Sequence, residues 1–302
     1  MGEAVDIFVG ADRSQLLAVA VLEHSIRRHT SAHIRLSPLI DLDLPEPADL
    51  RQGSRTNFSF ARFAIPELME RRGKALYLDA DMLVFRDIRE LWAIPFEGSV
   101  IIIQEDVPGH AAVTKRKGAP GKRVKQCSVM LIDCARARWN VRDIVAGLDG
   151  SYTYEQLMYE LCILPDDKVR FAVPFEWNSL EYYDLDTRLI HYTDMNTQPW
   201  VSPHNPNGRL WFKEVLLMVE TGALSEGTLR REVELGYFRP SLLDELAEMP
   251  HEAGFDAAAA RRYEAIDHKA GFVKHAEVYA RKKARAEAVQ AAAGAPVLQR
   301  NA

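Results

Sequence analysis

The stretch from Lys74 to Trp92, KALYLDADMLVFRDIRELW, narrows the folds open to this chain more than any other. Ala75, Leu76, Tyr77 and Leu78 form an apolar run too short for a helix core, which predicts a buried strand. The run breaks at Asp79-Ala80-Asp81 and resumes at once with Met82, Leu83, Val84 and Phe85. Two carboxylates therefore interrupt a core segment. In an extended backbone, residues i and i+2 project from one face, so both acids can converge on one point. Like charges buried side by side are costly unless a cation neutralises them. A hard divalent ion with oxygen ligands, Mg²⁺ or Mn²⁺, answers that cost. The competing reading is a strand end whose aspartates cap a turn. Asp87 is expected to cap a short helix carrying Ile88, Leu91 and Trp92.

The flanking sequence predicts what surrounds this strand. Val5 to Val9 reads as a first strand, followed by a turn at Gly10-Ala11-Asp12. Ser14 can cap a helix over Gln15 to His29, and Ile34 to Leu39 reads as a second strand. Strand, helix and strand in that order predict an α/β fold with a parallel sheet and a right-handed crossover. Ligands bind such sheets beyond the carboxyl ends of the strands. Asp12 lies there, either as a nucleotide contact or as a turn-forming Asp. An apolar helix over Asn57 to Leu68 embeds Arg62, whose charge needs a protein carboxylate or a ligand phosphate. Further strands are expected at Ser99–Ile103, Cys127–Cys134 and Leu189–Tyr192, with helices at Trp139–Leu148 and Thr153–Leu161. His191, at the end of one such strand, is either a hydrogen-bonded structural residue or a ligand. Pro108 to Lys125 reads as a basic surface loop, solvated or in contact with an anionic substrate.

Composition excludes several function classes. A formal charge of −5 gives no reason to expect a nucleic-acid partner. The three cysteines form no CxxC pair, and buried thiols in a reducing compartment fit them better than disulfides or zinc. The first residues carry Glu3 and Asp6 before a short apolar run, which is no signal peptide, and no apolar stretch reaches membrane-spanning length. A cytoplasmic protein is expected. From Asn205 onward the chain reads as helical, and from Phe255 it is rich in Ala, Lys, Arg and Glu. That tail could pack on the domain, pair with a second copy, or lie peripherally on an acidic membrane. All donor-site candidates lie before it.

Together these segments resemble the family 8 glycosyltransferases, the glycogenin-like retaining enzymes of GT-A fold. The blocks that carry the resemblance are Phe60–Leu68 with Arg62, Lys74–Val84 with its DxD, and Asp87–Trp92. Of an Asn-Ser-Gly at the later strand only Ser128 matches. Glu155-Gln156 is similar to the family's Asp-Gln pair near the sugar, and His191 before Pro199-Trp200 to its metal-binding His ahead of Lys-Pro-Trp. Gln198 stands where the family usually has a lysine on the diphosphate, and the spacing from His191 is one residue longer. The resemblance implies a GT-A-type Rossmann-like mixed sheet flanked by helices, with the transferase domain over 1–215 and a helical extension over 216–302. It implies Mn²⁺ (or Mg²⁺) on Asp79, Asp81 and His191, a UDP-sugar donor and a saccharide or other hydroxyl acceptor. Asp79 would also reach the ribose. Arg62, Asp12 and Gln198 would serve the nucleotide, Gln156 would steady the oxocarbenium-like centre, and Asp106 or Glu155 would bind sugar hydroxyls or the acceptor. Two rival functions remain open at this level: a DxD phosphatase with Asp79 as nucleophile, and a non-catalytic nucleotide-sugar-binding scaffold.

Overall fold

The computed structural model describes residues 4–49, 52–53, 58–104, 125, 127–248, 255–278, 280–281, 284 and 288. Asp106, most of the basic 108–125 segment and the last part of the tail lie outside them.

β1 (Val5–Gly10) is followed by α1 (Leu16–His29) and β2 (Ile34–Leu39). Asp12, and not Ser14, caps the turn that leads into α1. Its carboxylate accepts from Ser14 N at 2.8 Å, and Gln15 closes a capping box onto the Asp12 backbone. The Arg62 segment is two short pieces, a 3₁₀ turn over Ala61–Ala64 and α2 (Ile65–Leu68), in place of one long helix. Next come β3 (Lys74–Asp79), β4 (Met82–Val84), α3 (Arg89–Trp92) and β5 (Ile101–Gln104). Asp87 does hold the start of α3, its Oδ1 accepting from Arg89 N at 3.0 Å. β6 (Val129–Asp133), α4 (Val141–Gly147), α5 (Tyr154–Glu160) and β7 (Val169–Val173) follow. The chain then forms β8 (Ser179–Leu180), β9 (Leu189–His191), α6 (Gly208–Glu220), α7 (Glu226–Glu234), α8 (Leu242–Glu248) and α9 (Ala257–Lys269).

Among the described residues the main sheet has the order β2-β1-β3-β6-β5-β7, and a small one the order β4-β9-β8. β1 is parallel to β2 and β3, while β6 runs antiparallel to β3 and β5, so the main sheet is mixed. Side-chain alternation feeds two cores. Phe8, Ala75 and Tyr77 face one layer with Phe60 and Phe63; Ile7, Val9, Leu76 and Leu78 face the other with α1 and α3. The small sheet repeats the division. Met82 and Val84 join the second layer, whereas Leu83 and Ile190 join a third with Trp200, Trp211 and Phe238. α6 runs through positions 215 and 216, and the helices after it contribute Leu229 and Leu242 to that third layer. No described helix is long and apolar enough to cross a membrane. The three cysteines are free; Cys127 and Cys134 are buried as expected, but Cys162 is exposed.

Candidate active site

The DxD does not lie along one extended strand. β3 ends at Asp79, the backbone bends through Ala80 and Asp81, and β4 starts at Met82 in a different sheet. The acids converge because the chain turns there, not because of strand periodicity. Pairing does the rest. In the antiparallel β4–β9 ladder Met82 faces His191, and Tyr192 N donates to Asp81 O at 2.8 Å. A histidine from a distant part of the chain is thereby set beside the carboxylates. His191 Nε2 lies 3.0 Å from Asp81 Oδ1 and 3.8 Å from Asp79 Oδ2.

Each of the three side chains has its own buried partner. Tyr77 donates its hydroxyl to Asp79 Oδ1 at 2.6 Å, and Gly10 makes this possible: a Cβ there would fall 2.1 Å from that hydroxyl oxygen. Arg62 stacks over the Tyr77 ring, donates to Cys127 O at 2.7 Å and reaches Asp79 Oδ1 at 3.4 Å. Its anion is thus a protein carboxylate, itself part of the cluster. Burial opposes the Arg62 charge, but Tyr77 and Asp79 hold its pKa above the ordinary value. Gln198 is buried and donates to Asp81 Oδ2 at 2.7 Å and to Tyr192 O at 3.1 Å. It is turned onto a carboxylate, so the diphosphate contact expected from its place in the sequence would require it to leave Asp81.

His191 is oriented by Asn178. The Asn178 amide N–H₂ donates to Ser128 Oγ at 3.0 Å and Gln104 Oε1 at 3.1 Å, so its carbonyl oxygen must be the acceptor facing His191 Nδ1 at 3.0 Å. In the neutral ring Nδ1 then carries the proton, and Nε2 presents a lone pair to the carboxylates. With the ring neutral, Asp81 Oδ1 has no hydrogen-bond partner despite its short distance from Nε2; with the ring protonated, Nε2–H donates to it. Burial, then the neighbouring Asp81, push the Asp79 carboxyl above its usual range against the pull of Arg62 and His191. Burial opposes the imidazolium, but Asp81, Asp79 and Glu181 outweigh it and raise the His191 pKa. Such a set asks for positive charge.

Its dimensions suit a divalent ion. Ligand atoms of Asp79, Asp81 and His191 all lie within 4.8 Å of one another. Adjacent ligands of an octahedral ion at roughly 2.1 Å stand about 3 Å apart, close to the Nε2–Oδ1 separation. The orphaned Asp81 oxygen and the Nε2 lone pair therefore fit such an ion, with Asp79 completing the set.

The other sequence candidates lie apart from this cluster. Gln156 is exposed at the start of α5, where its Oε1 accepts from Thr153 N at 2.9 Å in a capping box; meeting a sugar would require breaking that cap. Glu155 is exposed next to it. The helix itself begins against the Arg62 segment, with Tyr154 edge-on to Phe60 at 6.0 Å. Asp12 caps its turn at the carboxyl end of β1, beside a cavity of about 660 Å³. Asp106 is outside the described residues. Sequence reasoning missed Tyr77, read as part of an apolar strand, and Gln104 and Asn178, polar residues at the ends of strand and turn segments. It also missed Glu181, a non-glycine residue at φ 53° whose carboxylate accepts from Asp194 N at 2.8 Å and Asn205 Nδ2 at 3.2 Å. That left-handed conformation is costly for a side chain with a Cβ and persists only when surroundings impose it. Here it pins the loop that follows His191.

Three comparisons bear on identity. The sequence model of "Glycosyl transferase family 8" matches residues 46–141, which include Arg62, Asp79 and Asp81 but not His191. "Protein CDI" of Arabidopsis thaliana is 30% identical over 216 residues, covering 68% of this chain and 79% of that protein. Among solved structures, the apo WbbM bifunctional glycosyltransferase superposes with a TM-score of 0.51 at 14% identity, covering 71% of this chain and 50% of that one. The glycosyltransferase GlyE of Streptococcus pneumoniae TIGR4 gives 0.50 at 16%, covering 80% and 65%. The chain thus spans half of the WbbM chain and somewhat less than two thirds of GlyE; at these identities the likeness is one of fold.

Proposed function

The chain belongs to glycosyl transferase family 8 and is a glycosyltransferase of GT-A fold, and from that premise we propose that it moves a sugar from a UDP-sugar to an acceptor hydroxyl with retention of configuration. The observation that carries this reading is the Asp79–Asp81–His191 cluster, with a buried carboxylate oxygen left without a hydrogen bond 3.0 Å from an imidazole lone pair. These three residues would hold Mn²⁺, favoured over Mg²⁺ by the mixed oxygen and nitrogen set. When bound, such an ion supplies Lewis-acid stabilisation of the charge that develops on the departing diphosphate.

The protein's own residues then divide the work. Tyr77 and Arg62 orient Asp79, Gln198 orients Asp81, and Asn178 fixes the His191 tautomer. Asp79, at the carboxyl end of β3, is next to Gly10 of β1 in the sheet register, and the residues just after Gly10, Ala11 and Asp12, line the cavity, although Asp79, Asp81 and His191 do not. The nucleoside would occupy that cavity, beyond the strand ends where open α/β sheets bind ligands. Asp79 would reach the ribose. Glu155 and Gln156 would act on the sugar side, entering from the start of α5, and Asp106 would bind sugar or acceptor. The donor chemistry would draw mainly on residues before 216.

A calorimetric titration of UDP with Mn²⁺ and with EDTA, followed by a donor-hydrolysis screen across nucleotide sugars, tests the proposal. Tight UDP binding that needs the metal is the expected result. Equal binding with and without metal would remove its central claim.

A further inference from the structure

The cavity beside Asp12 has an unexpected wall. Ala11, Asp12 and Leu39 line it from the carboxyl ends of β1 and β2, but Tyr237, His275 and Val278 come from the far end of the chain. The segment 273–278 is tied down by Lys274, whose Nζ donates to Asn196 O at 3.0 Å in the loop after His191. We propose that this segment forms part of the nucleoside pocket, and that His275 Nε2 accepts a hydrogen bond from the ring N–H of the donor's nucleobase. The inference rests on the donor reading above and adds to it a base-contacting residue that no sequence motif indicates.

Two observations point to a flat ligand with a polar edge. Leu235 and Val278, each about half exposed at 51% and 52%, both line this cavity. Apolar side chains left open on the rim of one pocket are surface that a planar base would cover. His275, by contrast, is only 8% exposed, and its Nε2 has no hydrogen-bond partner. The ring is hydrogen-bonded to the Tyr237 backbone, so with Nε2 unused the bonded nitrogen is Nδ1. Burial holds the ring below its usual pKa, hence neutral, with the Nδ1 proton on the Tyr237 carbonyl and a lone pair at Nε2. Asp12 nearby cannot satisfy that lone pair, because an ionised carboxylate only accepts.

A buried acceptor without a donor is costly, so a ligand that supplies the donor recovers that cost. A phosphate offers only acceptors and would face both Asp12 and the Nε2 lone pair. A sugar lacks the flat apolar face that Leu235 and Val278 would cover. A pyrimidine or purine with a ring N–H has both features.

The test compares UDP, N3-methyl-UDP and inorganic pyrophosphate, each titrated with Mn²⁺ into the full chain and its variants. We expect His275→Ala to weaken UDP binding tenfold or more and leave pyrophosphate unchanged. Val278→Ser, at the half-exposed rim, should weaken UDP several-fold. In the wild type, N3-methyl-UDP should bind as weakly as UDP binds to His275→Ala, and methylation should cost that variant little more. This wild-type comparison stands even if His275→Ala fails to fold. Unchanged UDP affinity in His275→Ala, equal wild-type affinity for the methylated nucleotide, or a parallel loss of pyrophosphate binding would each overturn the inference. A wild type that binds pyrophosphate and UDP alike would overturn it while sparing the metal site; one that binds neither would sink the donor reading itself.

Discussion

Two buried ionic clusters among the described residues are built on opposite terms. In the C-terminal helices Arg239, fully buried, donates to Glu245, to Ser241 Oγ at 2.6 Å and to Pro199 O at 3.0 Å. Ser241 in turn donates its N–H and its hydroxyl to Asp267, both at 2.8 Å. The guanidinium and both carboxylates have partners within the protein. The cluster of Asp79, Asp81 and His191 also has buried partners, but they orient it without neutralising it. The buried arginine of this cluster reaches Asp79 alone, and an Asp81 oxygen is left over. A complete network of this kind holds helices in place; an oriented but incomplete one is a binding site.

Removing one partner should therefore have opposite consequences in the two places. Glu245→Ala strands Arg239 in the interior, and a broken buried pair costs about 3–5 kcal/mol. Chemical denaturation should register a loss of that order, and a loss under about 1 kcal/mol would erase the contrast. Asp81→Ala should instead abolish the difference between UDP binding with Mn²⁺ and with EDTA, while the unfolding midpoint of the metal-free protein holds or rises as carboxylate crowding is relieved. A destabilised metal-free variant would show that the cluster is structural after all.

The orienting partners can be tested more gently. Asn178→Ala should weaken Mn²⁺ affinity by about 10–100-fold, the usual effect of removing a group that holds a metal-binding histidine. Direct Mn²⁺ titration reads this without nucleotide, and wild-type affinity would mean that His191 needs no such partner. The smallest effect is expected far from either cluster, at the start of α3. There Asp87 accepts from Arg89 and from Thr30 Oγ1, and the Arg89 side chain above all lowers its pKa to about 2. A depressed folded pKa adds stability that is complete above the unfolded value of about 3.9 and is lost as pH falls towards the folded one. Asp87→Asn, which keeps an acceptor oxygen but loses the charge opposite Arg89, should then cost up to about 1 kcal/mol at pH 7, as for an exposed ion pair. The gap to wild type should close on acidification from about pH 4 towards 2. A gap that does not vary with pH would assign the effect to packing.

Local sequence carried the elements well. The strand over Ile34–Leu39 has the bounds that its apolar pattern and flanking turns predict, and Thr153 caps α5 as a Ser/Thr-x-x-Gln sequence should. The carboxylate pair was legible for the same reason, since charge inside an apolar run is visible without any partner. Even there the cause differed: a bend between two sheets, not a shared strand face, converges Asp79 and Asp81. At the start of α1 the local pattern pointed to Ser14 as the cap and to Asp12 only as a turn or nucleotide contact, and backbone geometry made Asp12 the cap instead.

What the tertiary structure alone decided is the company each group keeps. The distance from His191 to Asp81 follows from a ladder that pairs Met82 with His191, and no local preference encodes which strands pair. Gln198 ends on Asp81, Tyr77 turns its hydroxyl through the space that Gly10 leaves, and His275 arrives beside Asp12 from the end of the chain. Propensity, capping and burial pattern act over a few residues and write themselves into the sequence. Hydrogen bonds between buried side chains act over a few ångströms, and which residues come that close is settled only when the layers have packed.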